Sequence, residues 1–303
     1  MAKLWREYGF PKELILIFVR HLFYNGDKLS FLSVSERVIM AKLTVRLIGP
    51  FQVMLDGKQI SDFRSDKVRG LLAYILIESQ RPWSRSFLAD LLWPDLPEAK
   101  AQSNLSNALW NLRATLGDNV GGSSFILVKK STIQFNQSAG FWLDVFAFNQ
   151  LVGKICTQPQ SSPAPLTPVE CQEYLSKFEG EFMEGFSIDS PTFETWLVNI
   201  RQQIHEKRVK ALHCLTTLFL QSNQSILALD CAQQWIKEEP WDENAYRQAM
   251  EILIEQSQRK KALDLFTLCQ NRLAKDLGIE PEQETLDLYQ QIIQGVEYQS
   301  TEA

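Results

Sequence analysis

The apolar residues change period twice between Leu43 and Phe135, and that change restricts the segment to a small set of folds. Leu43, Val45 and Leu47 alternate with Thr44, Arg46 and Ile48, and Val53 and Leu55 precede Asp56-Gly57, so the stretch reads as short strands with a hairpin turn. The spacing then becomes helical. Val68, Leu71, Leu72, Ile75 and Leu76 form one stripe of a helix expected from Ser65 to Ser79 and ended by Arg81-Pro82. A shorter helix is expected from Ser84, as N-cap, to Trp93 before Pro94, and a third from Glu98 to Leu116, ended by Gly117. The period returns to strand in Phe125–Val128 and Thr132–Phe135, which flank the polar tip Lys129-Lys130-Ser131.

Strands, three helices and a closing hairpin is winged-helix order. The second half of the chain is different. Residues 157–168 (TQPQSSPAPLTP) read as a Pro/Ser-rich loop, and everything after about Cys171 has a helical pattern. Ala228-Leu229-Asp230 recurs as Ala262-Leu263-Asp264, an offset of 34 residues that is the tetratricopeptide period. Stacked helical hairpins are implied, with the small Ala allowing close approach and Pro closing each second helix. The Glu-Pro pairs Glu239-Pro240 and Glu280-Pro281 follow their Ala by 12 and 19 residues, so the later repeat is elongated or degenerate. The fold class is therefore mainly α with a small β component. The expected division is a winged helix-turn-helix domain over 40–140 and a TPR-like helical domain over 141–298. Residues 1–39 hold an amphipathic piece, Lys12 to Tyr24, and the start MAKL recurs at Met40, so this segment is either a helical extension or an upstream start.

Composition excludes several classes. The five cysteines are odd in number and never spaced as CxxC, which suggests neither a disulfide framework nor a zinc knuckle and fits a reducing cytoplasm. The apolar stretch Leu14 to Phe23 contains Arg20 and His21 and is too short to span a membrane. The net charge of −5 conceals a division. Residues 40–140 hold 12 Lys/Arg against 8 Asp/Glu, while 141–303 hold 13 against 24. Contact with a polyanion is thereby confined to the first half. His21, His205 and His213 have no Ser, Cys or Asp arrangement beside them that would make a catalytic or metal site, so neither an enzyme nor a cofactor is expected.

The third helix carries the functional expectation. Leu105, Ala108, Leu109, Leu112 and Leu116 fall on one face, while Lys100, Ser103, Asn107, Trp110 and Asn111 fall opposite, with Asn104 at the margin. Amides, hydroxyls and an aromatic on an open face suit a major groove, where Asn can pair bidentately with adenine, and Lys100 suits phosphate. A solvated face rich in Asn and Ser is the plain alternative. Asn107 and Asn111 are poor helix formers in mid-helix, which points to a role other than helix stability. Trp110 could touch DNA sugars, a partner protomer or a neighbouring loop, and Arg113 could reach a phosphate or an internal carboxylate. Lys129 and Lys130 at the wing tip and Arg85 at the start of the second helix complete the candidate DNA contacts.

The segments SDKVRGLLAYILIE (65–78), FLADLLWPD (87–95), SNLSNALWNLRATLGD (103–118) and the hairpin FILVKKSTIQFN together resemble the OmpR-like winged helix of the SARP-type bacterial activators. EGEFMEGFSIDSPTFETWL (179–197) and KALDLFTLCQNRLAKDLGIEPEQETLDLY (261–289) resemble the bacterial transcriptional activator domain that follows it. The resemblance implies a third helix in the major groove of promoter DNA, protomers bound in pairs on repeated sites, and recruitment of RNA polymerase. This sequence departs from the family pattern in a less basic third helix, with Trp110 and Asn111 where Arg is common. Two alternatives are a helical-repeat interaction scaffold and an N-terminal fragment of a larger ATPase-linked regulator, although no Walker-type phosphate loop occurs in these residues.

Overall fold

The computed structural model describes residues 43–118, 124–157 and 166–294. The N-terminal segment 1–39 and most of the loop 157–168 lie outside the described residues. The chain forms two compact units, one holding residues up to Gln150 with Leu175–Ile204, the other holding Leu151–Pro159, Thr167–Tyr174 and the chain from His205 onward.

The first unit opens with β1 (Leu43–Arg46), β2 (Gln52–Leu55) and β3 (Lys58–Ile60). β2 and β3 pair Leu55 with Lys58 across Asp56 and Gly57. Both turn residues have positive φ, 49° and 76°. That is the conformation of a type I′ hairpin and the reason Asp-Gly stands there. Three helices follow: α1 (Asp66–Ile77), α2 (Arg85–Leu92) and α3 (Glu98–Thr115). Ser84 caps α2 by accepting from the backbone N–H of Phe87 at 3.1 Å. The wing is β5 (Ile126–Val128) and β6 (Thr132–Phe135). Leu71, Leu72 and Ile75 of α1, Leu88 and Leu92 of α2, Leu105 and Leu112 of α3 and Ile133 of β6 are completely buried.

Two strands escaped the sequence reading. β4 (Trp83–Ser84) pairs with β6 to make the wing a three-stranded sheet. β7 (Phe141–Leu143) pairs in parallel with β1, so the first sheet runs β3-β2-β1-β7. Two and three residues are too short to display a period.

The chain after Cys171 is not helical throughout. Residues 176–190 form turns, fixed by the backbone rather than by periodicity. Gly49 donates its N–H to the Glu181 carbonyl at 2.7 Å, and Glu184 donates to Gly49 at 3.0 Å. A Cβ on Gly180 would stand 3.0 Å from the Gly49 Cα, so glycine is required for the two backbones to meet. Arg201 secures the turn by donating to the carbonyls of Phe182 and Met183 at 2.9 Å and of Phe186 at 3.2 Å. Arg201→Ala removes these three bonds, leaving Met183 with the Phe186 N–H, and is expected to cost about 2 kcal/mol, read as a lower urea midpoint at an unchanged slope.

Further along are α4 (Asp144–Thr157), α5 (Pro168–Leu175) and α6 (Pro191–Gln221). The second unit then contains α7 (Ser225–Glu238), α8 (Glu243–Glu255), α9 (Arg259–Arg272), a π-helical turn (Leu273–Leu277) and α10 (Gln283–Gln294). The 34-residue offset is kept in the backbone. α7 and α9 begin 34 residues apart, Ala228 and Ala262 are both fully buried, and Asn223 and Ser257 before them have φ of 56° and 58°. The elongation of the later repeat is the π-helical turn, which carries the helix on to Gly278 before Pro281 is reached. Met250, Leu253, Ala262, Phe266, Leu288 and Ile292 form its core.

Candidate nucleic-acid interface

α3 is shaped at both ends by backbone bonds. Lys100 and Ala101 donate to the Pro97 carbonyl at 2.8 and 3.0 Å, and Glu98 in the first turn suits the positive end of the helix dipole. At the other end Gly117 has φ 69°, a left-handed residue closing the helix. Asp118 then accepts from the N–H groups of Phe125 at 2.7 Å and Ile126 at 2.9 Å, tying the end of α3 to the first wing strand.

Leu105, Ala108, Leu109, Leu112 and Leu116 are buried, as the helical spacing requires. On the opposite side Lys100, Ser103, Ser106, Asn107 and Trp110 are exposed, and Asn104 is half-buried. Asn111 does not share that open face. It is buried, and its Oδ1 accepts the Arg64 N–H at 3.0 Å. The segment before α1 lies along the second half of α3, where Thr115 Oγ1 also donates to the Asp62 carbonyl at 3.3 Å. A tertiary hydrogen bond therefore accounts for this asparagine in mid-helix, in place of a base contact. Arg113 is half-buried, with its Nε enclosed and without a hydrogen-bond partner among the described residues.

Trp110 is 57% exposed, and the Arg64 guanidinium sits 4.9 Å from its ring centroid. This is a cation–π arrangement that holds an exposed cation beside the open face. Arg64 was missed in the sequence because it lies outside any periodic element, directly before the Ser65 N-cap of α1.

Arg85 joins three elements. Its backbone N–H donates to the Ser131 carbonyl at the wing turn at 3.0 Å, and its Nη2 donates to Ser106 Oγ on α3 at 2.7 Å. The wing turn, the start of α2 and the open side of α3 are thus held together by one residue. Lys129 and Lys130 are exposed at the turn, and Leu127 and Val128 beside them are also exposed. The structure accordingly groups Lys100, Ser103, Asn107 and Trp110 on α3, with Arg64 beside them. It links the wing lysines to that helix through Arg85. In the second unit His205 lies between Glu239 at 2.6 Å and Glu238 at 3.5 Å, and the His213 ring lies 4.9 Å from that of Trp235.

Residues 143–293 match the model of the bacterial transcriptional activator domain. Those residues are thus similar to the activator domain carried by the SARP-type family of transcriptional regulators. That family consists of regulators, not enzymes. The transcriptional regulatory protein EmbR of Mycobacterium bovis and that of Mycobacterium tuberculosis are each 29% identical over 83 residues, 27% of this chain and 21% of theirs. The matched region therefore spans about a fifth of those curated relatives. The structure of Mycobacterium tuberculosis EmbR in complex with a low-affinity phosphopeptide superposes with a TM-score of 0.66 at 17% identity, covering 85% of this chain and 66% of that one. The shared fold is a winged helix followed by a helical activator domain.

Proposed function

We propose that the protein is a sequence-specific DNA-binding regulator that places α3 in the major groove of promoter DNA and its wing against the flanking backbone. The observation that carries this reading is the open side of α3, where Ser103 and Asn107 stand between Lys100 and the Arg64–Trp110 pair. Asn107 is the base-reading amide, and Ser103 and Asn104 approach base edges. Lys100, Arg64, Arg85, Lys129 and Lys130 meet phosphates, which position the helix without reading sequence. Trp110 and Arg113 support the contact from the end of α3. Binding as pairs of protomers on repeated sites, contact with RNA polymerase and a cytoplasmic location complete the proposal. The described residues contain no helix long and apolar enough to cross a membrane.

The test is fluorescence anisotropy of the full chain on a selected duplex and on a random one across a salt series. Affinity should fall steeply as salt rises. Lys129→Ala and Arg64→Ala should each weaken both duplexes by a similar factor, roughly 3- to 10-fold, and lower the salt slope by about 1. Duplex affinity that is absent, or indifferent to salt, would leave the helical-repeat scaffold as the better account.

A further inference from the structure

Cys156 on the last turn of α4 and Cys214 on α6 are 58 residues apart, yet their sulfurs stand 2.7 Å from one another. That is inside ordinary van der Waals separation, between contact and the bonded S–S distance of about 2.05 Å. Both helices present their cysteine within the second unit, so the approach does not depend on a loop. The pair also differs from the other three cysteines. Cys156 and Cys214 are partly exposed, whereas Cys171, Cys231 and Cys269 are buried. A small oxidant can reach the first two.

We propose that Cys156 and Cys214 are a redox modification site, oxidised by a peroxide to a disulfide that joins the end of α4 to α6. The chemistry has two steps. One sulfur gives two electrons to hydrogen peroxide, forming a sulfenic acid and releasing water. The second thiol attacks that sulfur, expels its oxygen as a second water and closes the S–S bond. Two thiols and one peroxide thus yield one disulfide and two waters. A small-molecule or protein dithiol reverses the reaction by exchange. Burial, and after it the neighbouring sulfur, push the Cys156 thiol up to about 12. Whichever of the two sulfurs is oxidised first, the other stands 2.7 Å away to resolve it. Burial pushes Cys171 up to about 11 and Cys231 and Cys269 to about 12, and these three are enclosed as well.

The test uses the full chain, reduced, freed of reductant and exposed to hydrogen peroxide. Intact mass should fall by about 2 Da, and non-reducing peptide mapping should recover one cross-linked pair containing Cys156 and Cys214. Dithiothreitol should restore the original mass. In Cys156→Ser, peroxide should leave a dimedone-reactive sulfenic acid on Cys214 and no cross-link. Cysteines 156 and 214 that both remain alkylatable after peroxide, or a cross-link through any of the other three, would overturn the proposal.

Discussion

Asp144→Ala is expected to destabilise the first unit by about 3 kcal/mol, the largest loss for any single polar side chain described above. Asp144 is buried at the junction of β7 and α4. Its Oδ2 accepts the backbone N–H groups of Leu47 and Ile48, both at 2.8 Å, and its Oδ1 accepts that of Val145 at 2.8 Å. Alanine removes the acceptor of three donors, Leu47 and Ile48 just after β1 and Val145 in the first turn of α4. Chemical denaturation should show the loss as a lower midpoint. A change below about 1 kcal/mol would mean that water reaches those N–H groups.

The same carboxyl has a pH signature. Burial pushes it up to about 6 from 3.8, outweighing the opposing pull of the Ile48, Leu47 and Val145 N–H groups and of Arg46. The folded chain then holds this proton more tightly than the unfolded chain between about pH 4 and 6. The contribution is therefore full below pH 4 and is lost as pH rises through 6, by on the order of 3 kcal/mol at most. Asp144→Asn has no such titration. The stability gap between wild type and Asp144→Asn should shift in that direction across the window, and a gap independent of pH would refute the assignment.

The second large effect is expected at Asn107. An amide paired bidentately with one base contributes about 1–3 kcal/mol of discrimination, so Asn107→Ala should lower the preference for the selected duplex over a random one by about 10- to 100-fold. Affinity for random DNA should hardly change, because Asn107 is exposed and makes no hydrogen bond among the described residues. Parallel Kd measurements at one fixed salt concentration decide the matter. Equal losses on both duplexes would place Asn107 among the backbone contacts instead.

Long periodic elements were legible in the sequence. Helices α1, α2 and α3 begin and end within two residues of their expected limits, because Ser65 and Ser84 start two of them and Gly117 closes the third. The 34-residue offset likewise located the helical hairpins. What escaped depends on partners distant in sequence. β4 and β7 exist because they pair with β6 and β1, and the turn over 176–190 exists because Arg201 and Gly49 hold its backbone. At the interface the helical wheel placed Asn107 and Trp110 correctly on the open side of α3. It erred at Asn111 because a wheel cannot see the Arg64 segment packed along the helix.

The matched joints at Asn223 and Ser257 have a consequence for how such a protein can change over time. Each joint hands the chain from one helix to the next through a residue in the same left-handed conformation and at the same spacing. A duplication of one 34-residue period begins and ends in the same geometry, so it inserts a complete pair of helices whose neighbours meet surfaces of the kind they already cover. The helical unit can therefore lengthen in whole steps while the wing and α3 are left as they are.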